Sequence, residues 1–148
     1  MQEFMDFISN NTMLSLVWVG LFVALIASIV KQKTAAYATV DAQGATMLIN
    51  REEAVVVDIR SKDEYNKGHI VDAFHVLPSQ IRDGNTASLE NHKSAPIIVV
   101  CKTGQTAQES ANLLAKGGFE RVYVLKDGLI GWNEAKMPLV SGKRAKKK

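Results

Sequence analysis

The longest uninterrupted apolar run of the chain lies close to its N-terminus. Residues 13–30 read MLSLVWVGLFVALIASIV and contain no charged side chain over 18 positions. As a helix this run would extend about 27 Å at ~1.5 Å per residue, which is close to the hydrocarbon thickness of a bilayer. The pattern predicts one transmembrane helix at residues 13–30, after an N-terminal segment at residues 1–12 and before a linker at residues 31–39.

Beyond the linker, the pattern changes to short apolar runs that alternate with mixed stretches. Runs of this length, rich in β-branched residues and bounded by turn signals, predict strands that are covered on both faces. Such strands are typical of the parallel sheet of an α/β fold. The four predicted strands are residues 55–59, 74–76, 97–100 and 122–125.

The mixed stretches between these runs carry helix signals. A polar residue that caps a helix start and a glycine or proline that ends one are the expected punctuation. The predicted ends lie near residue 49, at Gly68, at residues 117–118 and before Pro138. The predicted starts are Asp41, a capping box of Ser61 with Glu64, a second box of Thr106 with Glu109, and Asp127 with Gly128.

The net charge of +3 is unevenly distributed along the chain. Residues 34–142 hold 11 basic and 13 acidic side chains, whereas residues 143–148, KRAKKK, hold five basic ones. A nucleic-acid-binding domain spreads Lys and Arg over one face of its fold, so no nucleic-acid partner is expected. The basic tail at residues 141–148 is expected either to lie against anionic lipid headgroups or to be a solvated, disordered end.

Charges on both sides of the apolar run predict how it is oriented. Lys31 and Lys33 follow the run and Glu3 and Asp6 precede it, so the positive-inside rule places the C-terminal domain in the cytoplasm and the N-terminus outside. The expected location is the cell inner membrane. A cleaved signal peptide is the alternative, with a small-residue site at residues 36–38. It is disfavoured because residues 1–12 carry no Lys or Arg.

Small residues recur every fourth position within the predicted span, at Gly20, Ala24 and Ser28. On a helix they would line one face, where a second membrane helix could approach closely. Another membrane protein is therefore a candidate partner. The simpler alternative is that small residues are common in membrane spans.

Cys101 is the only cysteine, so no disulfide can form within the chain. It directly follows the predicted strand 97–100, and ligands of open α/β sheets bind at the carboxyl ends of the strands. Backbone N–H groups of residues 102–106 and the start of the next helix would favour a thiolate there. The alternative is a small buried apolar residue at a strand end.

Three stretches resemble signatures of the rhodanese (thiosulfate sulfurtransferase homology) domain, over residues 40–140. CKTGQT at residues 101–106 is similar to the active-site loop of that family, and LKDGLIGW at residues 125–132 to its closing signature. VVVDIRSKDEYNKGHIVDAFHV resembles the upstream signature, with matching positions at Asp58, Arg60, Glu64, Tyr65, Gly68, His69, Ile70 and Ala73.

The resemblance implies an α/β fold in which helices flank a central parallel five-stranded sheet. It also implies sulfur relay: Cys101 attacks a sulfur donor, becomes a persulfide and passes the sulfur to a thiol acceptor. Asp58 and Arg60 are expected to support the site without acting in catalysis. No cofactor and no metal site is expected. The expected substrate-binding residues are Lys102, Thr103, Gly104, Gln105 and Thr106.

Loop length and loop composition refine that expectation. In the wider superfamily a six-residue loop, as at residues 101–106, goes with sulfur transfer, and a loop one residue longer goes with phosphatases. Active members often carry Arg at the sixth position, where this chain has Thr106, and Lys102 replaces another frequent Arg. Thiosulfate is therefore expected to bind poorly, and a protein persulfide is the alternative donor.

Three functions remain open from the sequence. The first is a membrane-anchored sulfurtransferase with Cys101 as the nucleophile. The second is a catalytically weak module that scaffolds a membrane protein complex. The third is redox sensing by Cys101, which would need a resolving thiol from a partner.

Overall fold

The computed structural model describes residues 1–33 and 36–143, with the side chains of residues 31–33 left out. Lys31 and Lys33, on which the predicted orientation depends, are therefore described by their backbone alone. Residues 144–148 of the predicted basic tail lie outside the described residues. The chain divides into two compact units, Met1–Ala35 and Ala36–Lys148.

The first unit consists of two helices. Helix α1 (Gln2–Asn10) was not predicted from the sequence, and helix α2 (Thr12–Lys33) contains the predicted span. By length and composition, Thr12–Val30 is long and apolar enough to cross a membrane. The prediction of one N-terminal apolar helix is confirmed.

The second unit is built on a sheet of five parallel strands, in the order β1-β5-β4-β2-β3. This confirms the predicted α/β fold with a central parallel sheet. Strand β1 begins inside the segment predicted as a linker and pairs with β5 through Ala38 and Tyr123. The strands are β1 (Ala38–Val40), β2 (Val55–Asp58), β3 (Phe74–His75), β4 (Pro96–Val100) and β5 (Arg121–Leu125).

Helices connect the strands and flank the sheet. Asp41 caps α3 by accepting a 2.7 Å hydrogen bond from the Gly44 N–H, as predicted. The capping box of Ser61 and Glu64 at α4 is confirmed as well. The helices are α3 (Ala42–Glu52), α4 (Lys62–Lys67), α5 (Pro78–Arg82), the 3-10 helix Ala87–His92, α6 (Thr106–Lys116) and α7 (Gly128–Glu134).

The capping box predicted for Thr106 and Glu109 is wrong. Thr106 is the first helical residue of α6, and Gln105 occupies the capping position without a side-chain hydrogen bond. Asp127 does precede α7, but its backbone is left-handed and its side chain does not cap the helix. α7 ends at Glu134, ahead of Pro138.

Strand β4 divides the core into two layers, because successive side chains of a strand point to opposite faces. Ile97 and Val99 pack into one layer, and Cys101 continues this layer just beyond the strand. Ile98 and Val100 pack into the other. The fold thus carries Cys101 at the carboxyl end of a fully buried central strand.

Candidate active site

The thiol of Cys101 is held against the backbone of its own loop. Cys101 is 4% exposed, and its Sγ accepts a 2.9 Å hydrogen bond from the Gly104 N–H. This N–H lies in the loop that leads to the first turn of α6. A donor aimed at sulfur, just before the positive end of a helix, favours negative charge on that sulfur.

Gly104 has the backbone conformation that turns its N–H toward the sulfur. Its φ is +91°, a region that residues with a side chain rarely adopt. A Cβ there would also lie 3.3 Å from the Asp127 N and 3.3 Å from the Leu125 O. The glycine therefore serves both the turn and the close packing of the loop on the end of β5.

The other loop residues face outward. Lys102, Thr103, Gln105 and Thr106 are exposed, whereas Gly104 is buried with Cys101. Of the five residues predicted to bind substrate, Gly104 contacts the thiol and the other four are exposed. Their role in substrate binding stays a prediction.

The first turn of α7 holds the backbone of the loop through two hydrogen bonds. The Leu129 N–H donates to the Cys101 carbonyl at 2.9 Å, and the Ile130 N–H to the Lys102 carbonyl at 3.3 Å. Sequence reasoning did not single out Leu129 or Gly128 as site residues. The closing signature LKDGLIGW contains both residues, and a glycine is expected where two backbones approach closely.

Asp58, which is buried, forms an ion pair with Arg60, which is largely buried. The Arg60 Nη2 lies 2.7 Å from Asp58 Oδ2 and also donates to the Gly68 carbonyl at 2.6 Å. The Asp58 Oδ1 accepts from the Arg60 backbone N–H at 3.0 Å. The two side chains thus bind each other, and through Gly68 the pair ties the end of β2 to the end of α4.

The ion pair and the thiol lie on different faces of the sheet. Val57 and Ile59 belong to the layer of Cys101, and Val56 belongs to the other layer. The alternation along the strand puts the Asp58 side chain on the face of Val56, away from the Cys101 side chain. Their shared feature is the carboxyl edge of the sheet, where Asp58 pairs in register with Val100. This placement fits support of the fold rather than contact with a substrate.

Histidine and tryptophan residues of the signatures have structural contacts. His69 is buried, stacks on Tyr65 with ring centroids 3.8 Å apart, and has its Nδ1 2.7 Å from the Tyr65 carbonyl. Trp132 is buried and its Nε1 donates to the Pro138 carbonyl at 3.0 Å. Within residues 1–33 and 36–143, no group of three or more His, Cys, Asp or Glu side chains could hold a metal ion.

Glu64 of the capping box interacts electrostatically with Lys102 of the Cys101 loop. The hydrogen bond from the Ser61 hydroxyl is the main cause that lowers the pKa of Glu64 below its ordinary value of 4.5. The backbone N–H of Ser61 and the charges of Arg60 and Lys102 act in the same direction. The start of α4 thus lies within electrostatic range of the loop cation.

We expect Ser61→Ala to raise the pKa of Glu64 toward 4.5, because both the hydroxyl donor and the cap geometry are lost. A lowered pKa in the folded state stabilises the fold above pH 4.5, and this contribution is lost as the pH falls through the folded pKa. Stability of the variant should therefore depend less on pH in the acid range. NMR titration of the Glu64 carboxyl measures the shift. Ser94→Ala, at an exposed turn, is the control, and an unchanged Glu64 titration in Ser61→Ala would contradict the expectation.

Comparison with known proteins agrees with this geometry. The chain matches the Rhodanese-like domain over residues 41–135. It belongs to the rhodanese-like domain family. The rhodanese-like domain of an Anabaena protein superimposes with a TM-score of 0.62 at 28% identity, over 74% of this chain and 86% of that one.

Two relatives of this rhodanese-like chain match different shares of its length. The uncharacterized protein YibN of Escherichia coli (strain K12) is 45% identical over 97% of this chain and 100% of its own length. Thiosulfate sulfurtransferase GlpE of Actinobacillus pleuropneumoniae serotype 3 (strain JL03) is 34% identical over 62% of this chain and 82% of its own length. The similarity to YibN thus includes nearly the whole chain, whereas that to GlpE covers a shorter part.

Proposed function

We propose that this protein is a membrane-anchored sulfurtransferase that carries sulfane sulfur as a persulfide on Cys101. The Cys101 thiolate attacks the outer sulfur of thiosulfate, a new S–S bond forms, the donor's S–S bond breaks, and sulfite leaves with the bonding electron pair. A thiolate acceptor then attacks the outer sulfur of the persulfide and regenerates the Cys101 thiolate. A protein persulfide can replace thiosulfate as donor, with a thiol as the leaving group. Covalent catalysis of this kind divides one difficult sulfur transfer into two easier ones.

The hydrogen bond from the Gly104 N–H to Cys101 Sγ, at 2.9 Å, carries this proposal. Negative charge resides on sulfur before the attack and again after the acceptor has taken the outer atom. Backbone donors that are fixed in place stabilise such charge without reorganisation during the reaction. The family membership and the similarity to a thiosulfate sulfurtransferase support the same reaction class.

The proposed anchor is α2, with the rhodanese-like domain in the cytoplasm and the N-terminus outside. The length and composition of Thr12–Val30 support a span, and the positions of Lys31 and Lys33 support this orientation. The face of Gly20, Ala24 and Ser28 remains a predicted contact for another membrane protein.

Intact mass of the full chain in detergent, after incubation with thiosulfate, tests the proposal. We expect a gain of one sulfur atom that a reductant removes, and no gain in the Cys101→Ser variant. A parallel incubation with a small-molecule persulfide separates poor binding of thiosulfate from lack of reactivity. If neither donor adds sulfur to the folded chain, the sulfurtransferase proposal fails.

Lys102 is the positively charged side chain of the loop and is proposed to attract an anionic sulfur donor such as thiosulfate. We expect Lys102→Ala to raise the KM for thiosulfate by roughly fivefold at most, because exposed charge contacts contribute about 0.2–1 kcal/mol. The rate with an uncharged persulfide donor should hardly change. Lys116→Ala, an exposed lysine at the other end of α6, is the matched control. An equal loss with both donors would assign Lys102 a different role.

A scaffolding module is the second candidate function. It is favoured by the 4% exposure of Cys101, together with Thr106 at the position where active members often carry Arg. In that case the Cys101→Ser variant would keep the cellular function of the chain. Loss of the function in Cys101→Ser, with the fold intact, would exclude it.

A further inference from the structure

Helix α1 separates its apolar and polar side chains onto opposite sides. At about 100° per residue, the apolar side chains occupy one half of the helix circumference and the polar ones the other half. No residue of α1 is buried, and the apolar side chains Phe4, Met5, Phe7 and Ile8 are between 41% and 69% exposed. The polar half consists of Gln2, Glu3, Asp6, Ser9 and Asn10.

A polar joint separates α1 from α2. Asn11 leaves the helical conformation, with φ −128° and ψ 48°, so that the two helices are not one continuous rod. Its backbone N–H and its Nδ2 both donate to the Phe7 carbonyl, at 3.1 Å and 3.2 Å. The Thr12 hydroxyl donates to the Ser9 carbonyl at 3.1 Å. The joint thus provides partners for carbonyls that the end of a helix leaves without any.

We propose that α1 is an interfacial helix that lies in the headgroup layer of the membrane, with Phe4, Met5 and Ile8 directed toward the acyl chains. This rests on the proposed span of α2. Asn11 alone lies between the two helices, so a spanning α2 holds α1 at the bilayer surface. Helices with one apolar and one polar face bind in this layer by burying the apolar face.

The charge of α1 specifies which lipid surface it fits. Its charged side chains are Glu3 and Asp6, both on the polar half, and it carries no Lys or Arg. Binding would therefore come from apolar burial and not from attraction to anionic lipid. The partner of this face is a surface of zwitterionic headgroups.

Spin labels on the full chain in phosphatidylcholine vesicles test the proposal. Cys101→Ser removes the native thiol, and single cysteines then carry the label at Phe4, Met5 or Ile8 on the apolar half and at Asp6 or Ser9 on the polar half. Accessibility to oxygen reports acyl chains, and accessibility to a water-soluble nickel complex reports water. We expect oxygen accessibility to be high in the first group and nickel accessibility in the second, with a period of about 3.6 residues.

A label in place of Val19, within α2, separates failure of this inference from failure of the anchor. Oxygen access at this position with water access at all five α1 positions would leave the span intact and overturn the interfacial helix. Water access at Val19 as well would overturn both. Protection of Phe4, Met5 and Ile8 from both reagents would show a protein contact, such as a second copy of the chain, and would also overturn the proposal.

Discussion

Asp58→Ala is expected to lower the free energy of unfolding of the rhodanese-like domain by about 3–5 kcal/mol. Asp58 is 1% exposed and Arg60 10% exposed, so the substitution would leave a largely buried guanidinium with the Gly68 carbonyl as its remaining hydrogen-bond acceptor. Domains are stable by only about 5–15 kcal/mol, so the loss is a large part of the total.

Urea unfolding followed by the fluorescence of Trp132, in a Trp18→Phe background, measures this loss. Glu120→Ala removes an exposed carboxylate and should change the free energy of unfolding by less than about 0.5 kcal/mol. An Asp58→Ala variant as stable as Glu120→Ala would show that the ion pair contributes nothing that solvent cannot replace.

A double substitution separates the cost of an unpaired charge from the net contribution of the ion pair. Replacing both residues by apolar ones of similar shape, as in Asp58→Leu with Arg60→Met, removes the uncompensated charge. The double variant should recover part of the stability lost in Asp58→Ala, because it leaves no unpaired charge. The recovery is incomplete because the Arg60 N–H and the Gly68 carbonyl lose their side-chain partners. Persulfide formation on Cys101 should persist in it, since the pair lies on the face of the sheet opposite the thiol.

The apolar runs predicted the central strands because these strands are covered on both faces. Strand β4 is buried at all of its positions, and β2 likewise. Strand β1 has two exposed residues among three, so neither an apolar run nor a regular alternation marks it. The sheet gains its fifth strand through pairing with β5, which is a long-range contact that no local pattern contains.

The contrast between local patterns and long-range contacts also decides which features of the site could be predicted from the sequence. Cys101 follows from local order: a buried strand, a cysteine, a short loop and a helix. The hydrogen bond from Gly104 depends on a left-handed backbone whose position is fixed by packing on the end of β5. The error at Thr106 has a local cause, because Ser or Thr with Glu three positions later fits the first helical residue as well as the capping residue.

Gly128→Ala is expected to destabilise the domain by about 3 kcal/mol or more and to disrupt the loop that holds Cys101. A Cβ at this position would lie 2.2 Å from the Cys101 carbonyl oxygen and 2.6 Å from the Lys102 carbonyl oxygen. The left-handed backbone, with φ +55°, adds about 1–2 kcal/mol for a residue with a side chain, and overpacking about 1–3 kcal/mol. Because the atoms that this Cβ would meet belong to the backbone of the loop, no side chain can move aside and the loop itself must shift.

Movement of the loop should also reduce the yield of the Cys101 persulfide, because a shift of about 1 Å in a catalytic group can cost 100-fold in rate. Gly84→Ala is the matched control: its φ is +73° and nothing lies within 4 Å of an added Cβ, so it imposes the backbone strain without the clash. Urea unfolding and the rate of mass gain with thiosulfate should separate the two variants clearly. If Gly128→Ala matches Gly84→Ala in both, the contact with α7 does not position the loop, and the Gly104 N–H must hold Cys101 Sγ without that support.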